Sequence, residues 1–122
     1  QAPIKALLLD QRLIAGLGNI YANEALWLAG IHPLTPGGAL TLDQIAALYH
    51  AIRLVLAEAI ANQGSSLRNY RDGYGRRGNY QEHFNVYDRV GKPCPRCQTA
   101  IERIVIAQRS TFFCPSCQGL VQ

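Results

Sequence analysis

The sequence predicts an α+β fold, mainly helical and closed by a β-hairpin, and three observations predict it. Apolar residues recur at helical spacing from Ile45 to Ile60, and a shorter apolar segment runs from Ile20 to Ala29. Near the C-terminus a β-branched stretch that alternates polar and apolar residues, Ile101 to Ala107, lies between two Cys-x2-Cys pairs. At 122 residues and 48% hydrophobic content the chain is sized for one domain, or for a helical unit with a small appendage. No apolar run approaches the roughly eighteen residues of a membrane span, and no charged-then-apolar leader opens the chain. Neither a membrane nor export is expected, and a reducing cytoplasm fits best.

The opening, QAPIKALLLDQ, begins inside an amphipathic pattern without a cap. Leu7, Leu8 and Leu9 read as the buried end of a short helix on which Lys5 is the one basic residue. In the following segment Asn19 is the expected N-cap of a helix whose apolar face is Ile20, Tyr21, Ala25, Leu26, Leu28 and Ala29, with Gly30 and Pro33 ending it. Gly16 and Gly18 precede that cap. Glycines there let backbone amides approach a phosphate without a Cβ in the way; they serve equally well in a tight turn that needs positive φ. Pro33 to Leu40 is a connector, and Thr41 with Gln44 forms a capping box that opens the long helix. Its stripe is Ile45, Leu48, Tyr49, Ile52, Val55, Leu56, Ala59 and Ile60, and Gly64 is expected to stop it. His50 lies off the stripe and reads as a surface residue.

From Gly64 to Asn79 the periodicity disappears, and sixteen residues hold four arginines, two tyrosines, two serines and four glycines. Such a loop is a linker or a binding loop, and its aromatics and cations favour binding. The next stretch is expected to become strand-like at FNVYDR, and His83 stands too far from the cysteines to join them. The net charge of +4 comes entirely from the second half: residues 1–63 hold three Lys or Arg against four acids, residues 64–93 six against three, and residues 94–122 three against one. A basic, arginine-rich half suits a polyanion, most simply nucleic acid, although a merely solvated basic surface has the same composition.

Cys94, Cys97, Cys114 and Cys117 form two knuckles separated by sixteen residues, long enough to run out and back as a hairpin with its turn around Gln108 and Arg109. Two disulfides are the competing reading; zinc is favoured because no secretory signal and no leftover cysteine accompany the pairs. Four sulfur ligands leave no open position, so one structural Zn2+ is expected and a catalytic metal is not.

Together these stretches resemble the C-terminal half of bacterial formamidopyrimidine-DNA glycosylase. The resemblance spans nearly the whole chain. It rests on the zinc segment, through Thr99, Ile101, Arg109, Ser110, Thr111, Phe113 and Gln118 as well as the cysteines, on GLGNIYANEALWLAGIHP, similar to that family's helix-two-turn-helix segment, and on GSSLRNY, similar to the opening of its lesion-recognition loop.

The resemblance implies a helix-two-turn-helix DNA-binding domain over residues 1–83, with a lesion loop at 64–79, and a zinc finger over 84–122. It implies that Asn19, with Gly18 beside it, and Arg109 hold DNA phosphates around a flipped-out nucleotide, with Lys5 close to the same backbone. The amides of Leu67, Arg68, Asn69 and Tyr70 would grip O6 of an extruded 8-oxoguanine, and the Ser65 carbonyl would accept the hydrogen that only the oxidised base carries on N7. The implied partner is damaged double-stranded DNA, met by a monomer in the bacterial cytoplasm at the nucleoid. The family's nucleophile is an amino-terminal proline followed by a glutamate. Gln1-Ala2 offers neither and the nitrogen of Pro3 is an amide, so this chain is expected to bind without cutting, while its parent removes oxidised purines and cleaves abasic sites. An endonuclease VIII-type protein for oxidised pyrimidines and a zinc-ribbon module for protein contacts are the alternatives.

Overall fold

The structure, a computed structural model, describes residues 2–8, 18–71 and 84–119; the side chains at 59, 60 and 62–71 fall outside that description. The described residues form three α-helices, α1 (Ile4–Leu8), α2 (Asn19–Ala29) and α3 (Leu42–Arg71), a 3-10 turn at Gly37–Ala39, and two strands, β1 (Glu102–Ile106) and β2 (Arg109–Phe113). The strands pair antiparallel with Glu102 opposite Phe113 and Ile106 opposite Arg109. Among the described residues no helix is long and apolar enough to cross a membrane. The architecture is α+β, a helical unit carrying a four-cysteine hairpin.

Helix α2 lies between two apolar clusters. On one flank Ala22, Ala25 and Leu26 pack with Ile4, Leu8, Ile31, Leu48 and Ala51. On the other, Trp27 packs with Val86, Ile101, Phe112 and the sulfurs of Cys94 and Cys114. Six consecutive residues, Ala22 to Trp27, are therefore buried, whereas Leu28, expected in the apolar face, is 38% exposed. Gly30 ends the helix as expected: at φ 73 it adopts the left-handed conformation that glycine enters without steric cost, and the Ile31 amide returns 3.0 Å to the Leu26 carbonyl.

The capping box on α3 forms in both directions, Gln44 N to Thr41 Oγ1 at 3.1 Å and Thr41 N to Gln44 Oε1 at 2.9 Å. The buried stripe of that helix is narrower than expected. Leu48 and Ala51 are buried and Ile52, Val55 and Leu56 are half-buried against α2, while Ile45 and Tyr49 stand 49% and 57% exposed. Two expectations further along the chain are corrected. Helix α3 does not stop at Gly64 but continues to Arg71, because a glycine that keeps helical φ and ψ weakens a helix by only about 1 kcal/mol and no proline follows. The FNVYDR stretch is a turn and not a strand: Asp88 sits at φ 58, and the amides that a strand would pair point at one carboxylate instead.

That carboxylate belongs to Glu24, buried in the middle of α2. Its Oε1 accepts from the amide and the side chain of Asn85 at 2.9 and 3.0 Å, and its Oε2 accepts from the amides of Val86 and Tyr87 at 2.8 and 3.0 Å. A carboxylate with four donors compensates its own desolvation and fixes the chain entering the first knuckle. Replacing Glu24 with Ala orphans three backbone amides at roughly 1 kcal/mol or more each, so the variant is expected to lose about 3 kcal/mol of stability in a denaturant titration.

Candidate nucleic-acid interface and metal centre

The four cysteine sulfurs lie within 4.8 Å of one another. Cys94 and Cys117 are 3.8 Å apart and Cys97 and Cys114 3.3 Å, far beyond the roughly 2.05 Å of a disulfide and near the edge of about 3.8 Å in a tetrahedron of zinc–sulfur bonds about 2.3 Å long. The donor set fits one zinc ion with all four positions filled, and the centre is structural. As free thiols the four sulfurs resist ionising together. Burial and the neighbouring sulfurs push Cys117 up to about 12, while the Thr99 hydroxyl, 3.3 Å from its sulfur, and the Thr99 amide hold Cys97 at about 6. A dication removes that conflict by making all four thiolates favourable, which couples metal to fold.

The centre is tied to α2 by side chains to which sequence reasoning gave no such role. Trp27 Nε1 donates to Cys94 Sγ at 3.3 Å, and the Arg96 guanidinium stacks 4.0 Å from the Trp27 ring while donating to the Trp27 carbonyl. Gln118 is fully buried, accepting from Cys114 N at 2.9 Å and donating to the Ile31 carbonyl at 3.0 Å. Asn23 Oδ1 accepts from Phe112 N at 2.7 Å. Polar residues inside an apolar helix, Asn23 and Glu24, are the signal that would have found these latches.

Strand β1 turns into β2 through Ala107 and Gln108, both at positive φ, 53 and 64. This is the two-residue turn of a tight hairpin, one residue earlier than expected, and it makes Arg109 the first residue of β2. Alternation along the strand then puts Arg109, Thr111 and Phe113 on one face. Thr111 is fully buried on that face, and Arg109 at its open end is exposed.

The expected cap is also corrected. Helix α2 begins at Asn19 with Gly18 as its N-cap in extended conformation, φ −84 and ψ 173, and this N-cap residue makes no side-chain capping bond. The Asn19 side chain turns to the hairpin instead, its Nδ2 donating to the Ser110 carbonyl at 3.1 Å while its Oδ1 accepts from Lys5 Nζ. Gly18 needs no positive φ, and among the described residues a Cβ built there would meet nothing within 4 Å. Gly16 lies outside the described residues.

Lys5, which the family resemblance sets close to a DNA backbone, is fully buried. Its three N–H bonds go to Asn19 Oδ1, to Thr111 Oγ1 at 2.8 Å and to the Ser110 carbonyl at 3.3 Å. Burial, and then the like charge of Arg109, lower its pKa from 10.5 to about 8. The structure thus brings Lys5, Gly18, Asn19 and the start of β2 at Arg109 together. The positions expected to read a base, Ser65, Leu67, Arg68, Asn69 and Tyr70, fall within helix α3, whereas residues 72–83, the rest of the expected loop and His83, lie outside the described residues.

Comparison with known proteins places both parts of the chain. Residues 1–71 match the Formamidopyrimidine-DNA glycosylase H2TH domain, and residues 91–119 match the zinc finger found in FPG and IleRS. The chain belongs to the formamidopyrimidine-DNA glycosylase family. It is 93% identical over its whole length to a Formamidopyrimidine-DNA glycosylase of Chloroflexus aggregans, of which it spans 44%. A crystal structure of Lactococcus lactis Fpg with abasic-site DNA superposes with a TM-score of 0.84 at 42% identity, over 98% of this chain and 43% of that one. MutM in complex with DNA containing carbocyclic 8-oxo-G gives 0.83 at 43% identity, over 98% and 43%. The chain therefore spans under half the length of the relatives it matches.

Two outcomes are expected of these sites. Elemental analysis should find one zinc per chain, and Cys97→Ser should lose the metal and unfold the hairpin, seen as loss of its amide dispersion in NMR spectra. For Lys5, the folded pKa of about 8 lies below the 10.5 of the unfolded chain, so between those values the unfolded state holds the extra proton. Stability of the wild type relative to Lys5→Met should rise as pH is raised from about 8 towards 10.5, with the penalty of the charged amine fully present below 8. A pH-independent difference between the two melting curves would contradict that assignment.

Proposed function

We propose that this chain is the DNA-binding half of a base-excision-repair glycosylase and abasic-site lyase for oxidised purines, holding damaged duplex DNA by its phosphates. One observation carries the reading. Arg109 stands exposed at the hairpin tip near the N-terminus of α2, whose N-cap Gly18 brings no side chain, and among the described residues no acceptor engages its guanidinium, whereas Arg103 is spent on Ser110 Oγ and Arg96 on Trp27. A guanidinium without an acceptor among the described residues, next to the first turn of a helix, suits one phosphate approached from two sides, the helix adding the favourable end of its dipole. The related structures in complex with abasic-site DNA and with 8-oxo-G DNA point to the same ligand class.

A base buried in the duplex stack has to be extruded before its sugar can be attacked, and holding the flanking phosphates fixes the backbone about which that rotation occurs. Supplying that hold is the task assigned to this chain, as a monomer acting in the bacterial cytoplasm. Excision and strand cleavage are assigned to the part of the relatives beyond the matched 44%. The Lys5 amine is a poor substitute nucleophile, enclosed by Asn19, Ser110 and Thr111. The lesion-reading role of residues 65–70 requires the end of α3 to rearrange when base is bound, since amides inside a helix are already committed to carbonyls four residues back.

Fluorescence anisotropy with a labelled duplex carrying an abasic-site analogue tests the reading. Arg109→Ala should weaken binding by roughly 1.5–3 kcal/mol, and the slope of log K against log salt should become shallower by about 0.9 for the lost phosphate contact. Affinity indifferent to both salt and Arg109 would favour a protein-contact module instead.

A further inference from the structure

Lys5 is a buried cation that the phosphate-binding reading does not use. Its side chain has no exposed surface, so it cannot itself lie against a DNA backbone in this conformation, and all three of its donors are spent within the chain. Those three bonds join parts far apart in sequence: the start of the chain, the first residue of α2, and β2 just after the turn. Asn19 closes the ring by donating to the Ser110 carbonyl, the acceptor that also serves Lys5. Thr111 Oγ1 also lies 3.2 Å from the Arg109 carbonyl, so the residue that anchors Lys5 adjoins the backbone that carries the exposed guanidinium.

From this ring, and resting on the phosphate-clamp reading above, we propose that Lys5 is a positioning residue for DNA binding. It spaces the N-terminus of α2 from Arg109 and touches no phosphate. The geometry gives the strut a reason to be a lysine. A node of three oxygens, Asn19 Oδ1, Thr111 Oγ1 and the Ser110 carbonyl, needs a donor with three N–H bonds and no acceptor, which is an ammonium group. The Asn19 carboxamide is oriented by the same contact: with its Oδ1 on Lys5, its Nδ2 is the atom left to face the hairpin. Among the described residues the charged group facing Lys5 from the packed elements is Arg109, whose repulsion DNA phosphate would relieve, so the strut gains strength when the clamp is filled.

The test measures binding of the 122-residue chain to the abasic-site duplex across a salt series, for wild type, Lys5→Met, Asn19→Ala, Arg109→Ala and the double variant Lys5→Met with Asn19→Ala. A phosphate ligand and a strut differ in the salt slope, since only loss of a phosphate contact changes the number of counterions released. Lys5→Met is expected to bind about tenfold more weakly with the slope of the wild type, and the double variant to bind no more weakly than Asn19→Ala alone, the signature of two residues acting as one unit. Zinc content and melting temperature accompany each variant. Should Lys5→Met fail to fold, Thr111→Val, nearly isosteric, removes one anchor and leaves the lysine; the same loss without a slope change is expected. A slope made shallower by about 0.9 in Lys5→Met, as in Arg109→Ala, would make Lys5 a phosphate ligand and overturn the proposal. So would unchanged affinity in Lys5→Met while Asn19→Ala and Arg109→Ala weaken binding, whereas no effect from any of the variants would overturn the clamp as well.

Discussion

An eleven-residue helix that must bury both flanks sets the terms for the rest of this molecule. The apolar flank of α2 is satisfied conventionally, by Leu48 and Ala51 of α3 and by Ile4 and Leu8 of α1. The other flank carries Asn23, Glu24 and Trp27, and polar groups withdrawn from water must find partners or cost several kcal/mol. Each finds one in the metal-bearing segment: Phe112 N, the amides of residues 85–87, and a cysteine sulfur. The hairpin cannot shift along α2 without breaking several of these bonds at once. A segment too small to hold itself together thereby acquires a fixed orientation, with the zinc closing one end and the helix supplying the wall.

The same logic accounts for what could be read in advance. The cysteine knuckles, the capping box at Thr41 and the stop at Gly30 are local devices whose residues act on neighbours within four positions, so the sequence alone exposes them. The Lys5 environment is not local. Its partners stand 14 to 106 positions away, and nothing in QAPIKALLLDQ distinguishes a lysine that faces solvent from one that fills a node. Asn19 failed as a predicted cap for the same reason: its carboxamide satisfies distant groups, and Gly18 takes the N-cap position. Gly64 was read as a stop on composition, yet a glycine terminates a helix when the chain needs a left-handed residue, and here α3 continues.

The placement of Arg109 shows how a flexible side chain acquires precision from its surroundings. The turn before it uses Ala107 and Gln108 in a conformation that glycine or asparagine would enter more easily, so the local sequence does not favour this tip strongly. Tethers on both sides hold it, the cysteine centre at the base of the strands and the Asn19–Ser110 and Lys5–Thr111 bonds near the tip. Entropy that a free loop would lose on meeting a ligand is already lost on folding, which is the condition for a small surface to bind with useful affinity.

Trp27 gives the metal centre an optical consequence. It is the sole tryptophan of the chain, its indole nitrogen donates to Cys94 Sγ, and a guanidinium lies over its ring. Whatever alters the charge on that sulfur, whether protonation, oxidation or exchange of one metal for another, alters the electrostatic field on the only indole that emits. Light from this one ring therefore carries the state of the four thiolates, so that the occupancy of a spectroscopically silent d10 ion can be followed in solution without attaching a label.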